Sequence, residues 1–247
     1  MEHKGYVRIC DGAKTAILFV HGIVGTPNHF KDFVSLVPNS ISVYNLLLDG
    51  HGKGAKDFSR SSMKKWEAQV FATVESLGRA HEKIIIVAHS MGTLLAVEQA
   101  IKNKKVCKLF LLAVPLRITV KFKMITNLLK VYFGKISEKD YLALAAQRSC
   151  GIKIDKNPFN YIGWIPRYIE LFSKIRKIRG EVKNLNLPCF VYQSGRDEMI
   201  SRKSVKYLNA NSFIIVKGLQ NSGHYYYAKN DLDFLFSEFK QMLSEEV

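Results

Sequence analysis

The chain has 247 residues, 47% of them apolar, and carries 37 Lys and Arg against 21 Asp and Glu, a formal net charge of +16. This length and apolar content suit one α/β domain with an insertion better than two independent domains. The first five residues are polar and do not resemble a secretory signal. No apolar run approaches the roughly 18 residues of a spanning helix. We therefore expect a soluble, cytoplasmic protein.

The positive charge is concentrated in one part of the chain. Residues 115–180 contain 14 Lys and Arg and 4 Asp and Glu, which gives +10 of the total of +16. No nucleic-acid-binding motif accompanies these residues, so we predict no nucleic-acid partner. Three interpretations remain open: a solvated basic face, peripheral contact with anionic lipid, or binding of an acyl-CoA substrate.

In chain order, six short apolar runs bounded by turn residues predict buried strands. They are residues 16–20, 41–48, 84–88, 109–114, 188–192 and 213–216. Segments with helical period lie between most of them. One such segment has the apolar residues Trp66, Val70, Val74 and Leu77 on a single face, and residues 230–243 predict a closing amphipathic helix. This alternation predicts an α/β fold with a mostly parallel sheet and helices on both faces.

The alternation breaks between residues 115 and 182. No strand pattern is clear there, whereas helical patterns are present. The best of these comprises Phe122, Ile125, Leu128, Leu129, Tyr132 and Phe133. Because this stretch enters between two predicted strands, we expect a helical cap at 115–182 over the carboxyl ends of the strands. Residues 1–114 and 183–247 would then form one discontinuous core domain.

One serine lies where a predicted strand meets a predicted helix. Residues 83–88 are mostly β-branched, and Ser90 follows them in the run Ala88-His89-Ser90-Met91-Gly92. A nucleophile elbow requires this context, because a tight turn exposes the hydroxyl at the edge of the sheet. Small residues two positions before and after the serine allow that turn. Ala88 stands where the usual pattern has glycine.

A serine hydroxyl needs a base to take its proton and a carboxylate to orient that base. Asp197 follows the strand at 188–192, and His224 follows the strand at 213–216. Since the carboxyl ends of parallel strands share one edge of a sheet, we predict that Ser90, Asp197 and His224 form a catalytic triad. Glu198 is the nearest competitor for the acid.

The reaction also needs two donors for the negative oxygen of its tetrahedral intermediate. We predict the backbone N–H of Met91, directly after the nucleophile, and that of Ile23, in the loop after the first long strand. Gly22 and Gly25 would allow that loop to approach substrate closely, although a purely structural turn is an alternative. His21 is interpreted as bracing the loop. The remaining histidines His3, His29 and His81 are most simply surface residues.

Five segments together resemble the bacterial carboxylesterase and monoacylglycerol lipase branch of the α/β-hydrolases. They are residues 21–25, 49–52, 88–92, 193–200 and 222–224, and 196–200 is the most specific of them. The resemblance implies the α/β-hydrolase fold and the same triad and oxyanion hole. It also implies that His51 is structural. The resemblance covers most of the chain outside the insertion.

We therefore expect a serine hydrolase that cleaves small-molecule carboxylic esters, of short to medium acyl chains or monoacylglycerol, with no metal or cofactor. A thioesterase or small-peptide hydrolase would use the same triad. A ligand-binding member of the fold without turnover is a third interpretation. Aromatic residues of the insertion could line an acyl pocket, although such residues are more often ordinary packing. The four candidates are Phe122, Tyr132, Phe133 and Trp164.

Overall fold

The computed structural model describes residues 3–119 and 121–244. In these residues seven strands form one sheet. They are β1 (Tyr6–Arg8), β2 (Thr15–Val20), β3 (Ser42–Leu46), β4 (Lys83–His89), β5 (Val106–Leu112), β6 (Cys189–Ser194) and β7 (Ile214–Leu219). Their order across the sheet is β1-β3-β2-β4-β5-β6-β7. Strand β1 is antiparallel to β3, and the other neighbouring pairs are parallel.

Helices cover both faces of this sheet. The α-helices of the described residues are α1 (Lys31–Ser35), α2 (Ala55–Ser59), α3 (Met63–Ala80), α4 (Met91–Lys102), α5 (Phe122–Phe133), α6 (Tyr141–Ser149), α7 (Ile165–Glu181), α8 (Ser204–Leu208) and α9 (Lys229–Ser244). Short 3₁₀ helices span Pro27–Phe30, Pro158–Trp164 and Val182–Asn184. One apolar cluster packs α3, α4 and α7 against the sheet, and a second packs α1 and α9 against its other face. The predicted α/β architecture is confirmed.

The predicted strands are all present, with ends that differ by a few residues. Strand β4 is buried on both faces from Ile84 to His89, which explains its unbroken apolar run. Trp66, Val70, Val74 and Leu77 are all buried along α3, as their spacing predicts. The edge strand β1 was not predicted, because its three residues are largely exposed and carry no apolar pattern.

Residues between β5 and β6 form a helical insertion that contains α5, α6 and α7. The 3₁₀ helix at Pro158–Trp164 and helix α7 pack closely on the core. Trp164 donates its indole N–H to the Ala55 carbonyl at 3.0 Å, and Arg167 Nη1 donates to the Ser59 carbonyl at 2.7 Å. Among the described residues, no helix is both long enough and apolar enough to cross a membrane.

A buried ion network joins α7 to α3 and α4. Lys174 is 3% exposed, and its ammonium contacts Glu67 at 2.7 Å and the buried carboxylate of Glu98. Lys177 reaches the other oxygen of Glu98 at 2.7 Å, and Lys102 reaches the same oxygen at 3.1 Å. Burial alone would raise the pKa of Glu98, but these lysines outweigh it and lower that pKa to about 2. The network therefore fixes one end of the insertion to the core.

Glu98→Gln should lower the free energy of unfolding by about 3 kcal/mol at neutral pH, because it removes the buried carboxylate beside Lys174 and leaves that ammonium with only the half-buried Glu67 as a charged partner. Since folding depresses the pKa of Glu98, its stabilisation is present above about pH 4.5 and is lost as the pH falls toward about 2. The difference between variant and wild type should shrink over that window in urea titrations.

Glu82→Gln is the matched control, since Glu82 pairs with Lys14 at 3.9 Å on the surface. It should change the unfolding free energy by no more than about 0.5 kcal/mol. Equal losses in the two variants would contradict a stabilising role for the buried network.

Candidate active site

Ser90 lies at the turn between β4 and α4. Its backbone has φ 52° and ψ −122°, a region that residues other than glycine rarely adopt. The Ser90 N–H donates to the Leu112 carbonyl at 2.9 Å, and the Ser90 carbonyl accepts from the Thr93 N–H at 2.9 Å. These bonds hold the strained turn and place the Ser90 side chain at the N-terminus of a 12-residue helix.

Two glycines allow the backbone to close around this turn. A Cβ atom on Gly22 would lie 2.9 Å from the Ser90 Cβ, and one on Gly92 would lie 2.2 Å from the Val20 carbonyl oxygen. Gly92 thus lets the start of α4 pack directly on the end of β2. Ala88, which departs from the usual glycine, lies inside β4 and pairs with Val20 in the buried core. Its side chain belongs to the same buried apolar cluster as Met91.

Asp197 and His224 lie together at the carboxyl ends of β6 and β7. The His224 Nδ1 is 2.9 Å from the Asp197 Oδ2, and both side chains are almost completely buried. The other oxygen of Asp197 accepts the N–H groups of Met199 and Ile200 at 2.8 and 2.7 Å. The His224 Nε2 is buried and has no hydrogen-bond partner in the described part of the chain. This nitrogen is therefore available to a group that enters the site.

The Asp197 carboxylate remains charged in spite of its burial. Burial acts to raise its pKa, but the adjacent His224 and the N–H groups of Ile200 and Met199 outweigh it, so the pKa lies below its ordinary value. A charged Asp197 accepts the Nδ1 proton of His224 and leaves Nε2 as the unprotonated nitrogen of the neutral ring.

Glu198 has a different partner from Asp197. Its Oε2 accepts the backbone N–H of His224 at 2.8 Å, and a Cβ atom on Gly223 would lie 2.9 Å from the same oxygen. Glu198 therefore holds the main chain that carries His224, whereas Asp197 contacts the imidazole. Sequence alone left both residues open as the acid.

The loop after β2 packs beside Ser90. His21 accepts the Leu48 N–H at Nε2 (3.1 Å), so its Nδ1 carries the proton and donates to the Gly22 carbonyl at 2.9 Å. Burial holds the pKa of His21 well below its ordinary value, as do the neighbouring rings of His51 and His3. These contacts agree with His21 as a brace for the loop. Ile23, the predicted oxyanion donor, is buried in the same apolar cluster as Met91.

The insertion contacts both loops of the site. Gly151 donates its N–H to the Val24 carbonyl at 2.7 Å, and a Cβ atom there would lie 2.0 Å from the Gly25 carbonyl oxygen. On the other side, the Lys121 N–H donates to the Glu198 carbonyl at 3.0 Å. Ser90 itself is only 7% exposed. The insertion therefore packs against loops on both sides of the candidate nucleophile.

Two further histidines adjoin the site, and sequence analysis did not assign them to it. The ring of His89 lies 4.8 Å from that of His224 and 4.1 Å from that of His29, and its Nε2 donates to the His224 carbonyl at 3.0 Å. Burial lowers the pKa of His89 well below its ordinary value, and the adjacent His29 and His224 add to this effect. His89 could have been assigned to the site from the sequence, because it is a polar residue at the end of an apolar strand.

The prediction that His81 is a surface residue is wrong, whereas His29 is half-buried. His29 stacks on His89, and Tyr227 Oη approaches its Nε2 at 3.4 Å. His81 is buried at the end of α3, where its Nδ1 is 3.1 Å from the Leu77 carbonyl. His51, expected to be structural, packs its ring between those of His21, Phe58 and Trp66.

The four predicted pocket residues lie in two different environments. Phe122 and Phe133 are 78% and 64% exposed on the outer face of α5, because the opposite face, with Asn127 and Val131, packs inward. Tyr132 packs on Tyr161 and donates to the Lys156 carbonyl at 3.0 Å, while Trp164 packs on Phe58 at 4.6 Å. This placement differs from a shared acyl pocket, because Phe122 and Phe133 face solvent.

Two features define the α/β-hydrolase fold. One is the order of the strands in the sheet, and the other is a serine at the strained turn between β4 and α4. A sequence profile for the family Hydrolase_4, described as serine aminopeptidase, S33, matches residues 11–213. The chain therefore belongs to this family of hydrolytic enzymes, and its resemblance to the α/β-hydrolases is confirmed. Among functionally curated proteins, none matches the sequence significantly.

Solved structures with the same fold include several lipolytic enzymes. A structure from the work on the metagenome-derived lipolytic enzymes LipS and LipT has a TM-score of 0.76 at 15% identity, with 99% of this chain and 98% of that chain covered. Monoacylglycerol lipase from Paleococcus ferrophilus has a TM-score of 0.71 at 14% identity and 99% coverage of both chains. A soluble variant of monoglyceride lipase from Saccharomyces cerevisiae, in complex with a substrate analogue, has a TM-score of 0.69 at 13% identity. The match covers 100% of this chain and 96% of that chain.

Proposed function

We propose that this protein hydrolyses carboxylic esters through a Ser90, His224 and Asp197 triad. The observation that carries the proposal is the buried His224, whose Nδ1 is held by Asp197 while its Nε2 has no partner. Such a ring accepts a proton at Nε2, which is what a general base for serine must do. Ser90 follows His89 directly, and the His89 ring packs on that of His224.

In the first half of the reaction, Ser90 Oγ attacks the ester carbonyl while His224 Nε2 takes the hydroxyl proton. The backbone N–H groups of Met91 and Ile23 bind the negative oxygen of the tetrahedral intermediate. His224 then returns the proton to the leaving alcohol, and the acyl group remains on Ser90. Water attacks this acyl-enzyme by the same proton transfers and releases the carboxylic acid. These steps need no metal or cofactor.

The charge of the insertion favours an ester over an aminopeptidase substrate, in spite of the description of the family. An aminopeptidase must bind a free ammonium group, for which it needs an available carboxylate. Asp197 is not available for this, because one of its oxygens binds the His224 ring and the other accepts two main-chain N–H groups. The net charge of +10 over residues 115–180 opposes a cationic substrate further.

The insertion at 115–182 is a cap in this proposal, and residues 1–114 and 183–247 are the hydrolase core. In support, the insertion contacts the loops that carry Ile23 and Asp197, and Ser90 itself is almost completely buried. Small-molecule esters of short to medium acyl chains or monoacylglycerol are the proposed substrates. The neighbouring monoacylglycerol lipase of Paleococcus ferrophilus supports the second class.

Gly151→Ala tests the contact between the cap and the oxyanion loop. The added methyl group would lie 2.0 Å from the Gly25 carbonyl oxygen, so the loop carrying Ile23 must move. We expect kcat for an ester to fall by about 10²-fold or more, because a donor of the oxyanion hole is displaced. Gly180→Ala is the control, since its methyl group would meet no atom within 4 Å. Equal kcat values in the two variants would count against an oxyanion role for this loop.

A panel of p-nitrophenyl esters and monoacylglycerols of graded acyl length, with one acyl thioester and one aminoacyl amide, tests the substrate class. The proposal predicts the highest kcat/KM for an ester and little turnover of the amide. A preference for the amide would favour the peptidase interpretation, and a preference for the thioester would favour a thioesterase.

A further inference from the structure

Helix α5 turns its apolar side toward solvent. Asn127 and Val131 face the protein interior, whereas the residues on the opposite side are exposed. These exposed residues are Phe122, Ile125, Leu128, Leu129 and Phe133. A helix at the surface of a water-soluble domain normally presents its polar side to solvent. The orientation of α5 is reversed, so its apolar side is a candidate for contact with a partner.

A second exposed apolar stripe follows the 3₁₀ helix at Pro158–Trp164 and helix α7. Leu171, Ile175 and Ile178 pack inward on the core, and the outward residues at helical spacing are apolar. They are Phe159, Ile162, Ile165, Ile169 and Phe172. Together with the α5 residues they form what we call the insertion face: residues 122, 125, 128, 129, 133, 159, 162, 165, 169 and 172.

The two stripes adjoin each other. Tyr132, at the end of α5, packs its ring 6.1 Å from that of Tyr161 in the 3₁₀ helix and donates to the Lys156 carbonyl. Phe133 and Ile162 follow these tyrosines in sequence. The end of α5 therefore lies beside the start of the second stripe.

Basic residues accompany this apolar surface. Residues 115–180 carry 14 Lys and Arg and 4 Asp and Glu. Of these cations, Lys174 and Lys177 are paired with Glu67 and Glu98 of the core, and the segment keeps a net positive charge without them. Exposed members include Lys135, Lys139, Lys156 and Arg176. Large apolar side chains beside many cations are the combination that binds the boundary of an anionic bilayer, since the apolar groups enter the acyl region and the cations contact headgroups.

We propose that the insertion face docks this protein peripherally on a bilayer that contains anionic lipid. The positive charge argues against a second copy of the chain as the occupant. A symmetric pair would bring two insertions of the same net charge together, whereas an anionic bilayer complements them. The inference concerns binding, so it does not depend on ester hydrolysis.

Sedimentation with lipid vesicles tests the proposal on the full chain. Vesicles of phosphatidylcholine alone are compared with vesicles that contain about 30% phosphatidylglycerol, at about 0.1 M and about 0.5 M salt. We expect the anionic vesicles to bind at least about tenfold more tightly at low salt, and the added salt to weaken binding. Equal binding to both vesicle types, or none to either, would overturn the proposal.

Variants locate the surface. One variant, called the insertion variant, combines four substitutions: Ile125→Ser, Leu129→Ser, Ile165→Ser and Ile169→Ser. It should bind anionic vesicles at least about tenfold more weakly than wild type. The matched control combines Val7→Ser, Phe71→Ser, Phe213→Ser and Ile215→Ser, which removes four similarly exposed side chains outside the insertion and should leave binding within about twofold. Unchanged binding in the insertion variant would overturn the proposal.

A charge variant and a mass measurement complete the test. Replacing Lys135, Lys139, Lys156 and Arg176 by Gln should weaken binding to anionic vesicles by about tenfold or more.

Light scattering should show the same mass for wild type and the insertion variant. A wild-type dimer that the Ser substitutions dissociate would overturn the proposal in favour of a second copy. Ser90→Ala should bind vesicles as wild type does, so a failed docking proposal is distinguishable from a failed ester hydrolase.

Discussion

Ser90→Ala is expected to lower kcat/KM for a carboxylic ester by about 10⁴-fold or more. The substitution removes the Oγ nucleophile, and no other hydroxyl occupies the turn between β4 and α4. Alanine accepts the same backbone conformation about as well as serine, so the thermal unfolding transition should be nearly unchanged. Initial rates on a soluble p-nitrophenyl ester, measured beside circular dichroism melting curves, check both expectations.

A loss of only a few-fold in folded Ser90→Ala would mean that another group performs the attack. A large drop in melting temperature would mean instead that the hydroxyl is structural. Ser90 binds Leu112 and Thr93 through its main-chain N–H and carbonyl, which alanine retains. The variant should therefore separate chemistry from folding.

Asp197→Asn should lower kcat by about 10⁴-fold. The amide can donate to His224 Nδ1 and thereby favour the tautomer with the proton on Nε2, which cannot accept the proton of Ser90. The Asn oxygen can still accept the N–H groups of Met199 and Ile200, so the loop should keep its conformation. Steady-state kinetics across pH 6 to 9 on the same ester gives the comparison.

Glu198→Gln is the matched control for Asp197→Asn, because it replaces the adjacent carboxylate by an amide in the same loop. Its Gln oxygen can still accept the backbone N–H of His224, as the Glu198 Oε2 does at 2.8 Å. We expect a loss of no more than about tenfold, since the orientation of the imidazole is preserved. Similar losses in the two variants would contradict the assignment of Asp197 as the acid.

The sheet and the proximity of the loops after β4, β6 and β7 could be predicted from the sequence. The strands follow from local apolar patterns, and the proximity of the loops follows from the parallel arrangement of the strands. Strands buried on both faces, such as β4, are continuous apolar runs. The carboxyl ends of parallel strands lie on one edge, so residues after β6 and β7 were expected together. Asp197 differs from Glu198 in a local way, since its short side chain accepts the N–H groups two and three residues further on.

The packing of the insertion could not be predicted from sequence patterns. Periodicity indicates that Phe122 and Phe133 share one side of α5, but it does not indicate whether another element covers that side. The structure leaves it in solvent. The contact of Gly151 with Gly25 and the pairing of Lys174 with Glu98 join residues far apart in the chain. Both depend on how the insertion packs on the core, which no local pattern specifies.

Labelling with a fluorophosphonate tests the central proposal most directly, because the reagent reacts only with a serine that a neighbouring base activates. Intact mass spectrometry should show one adduct per chain, and peptide mapping should place it on Ser90. Ser90→Ala should remain unlabelled, and Asp197→Asn should react far more slowly than wild type. Folded wild-type protein that stays unlabelled, or an adduct on any residue other than Ser90, would contradict the proposed nucleophile.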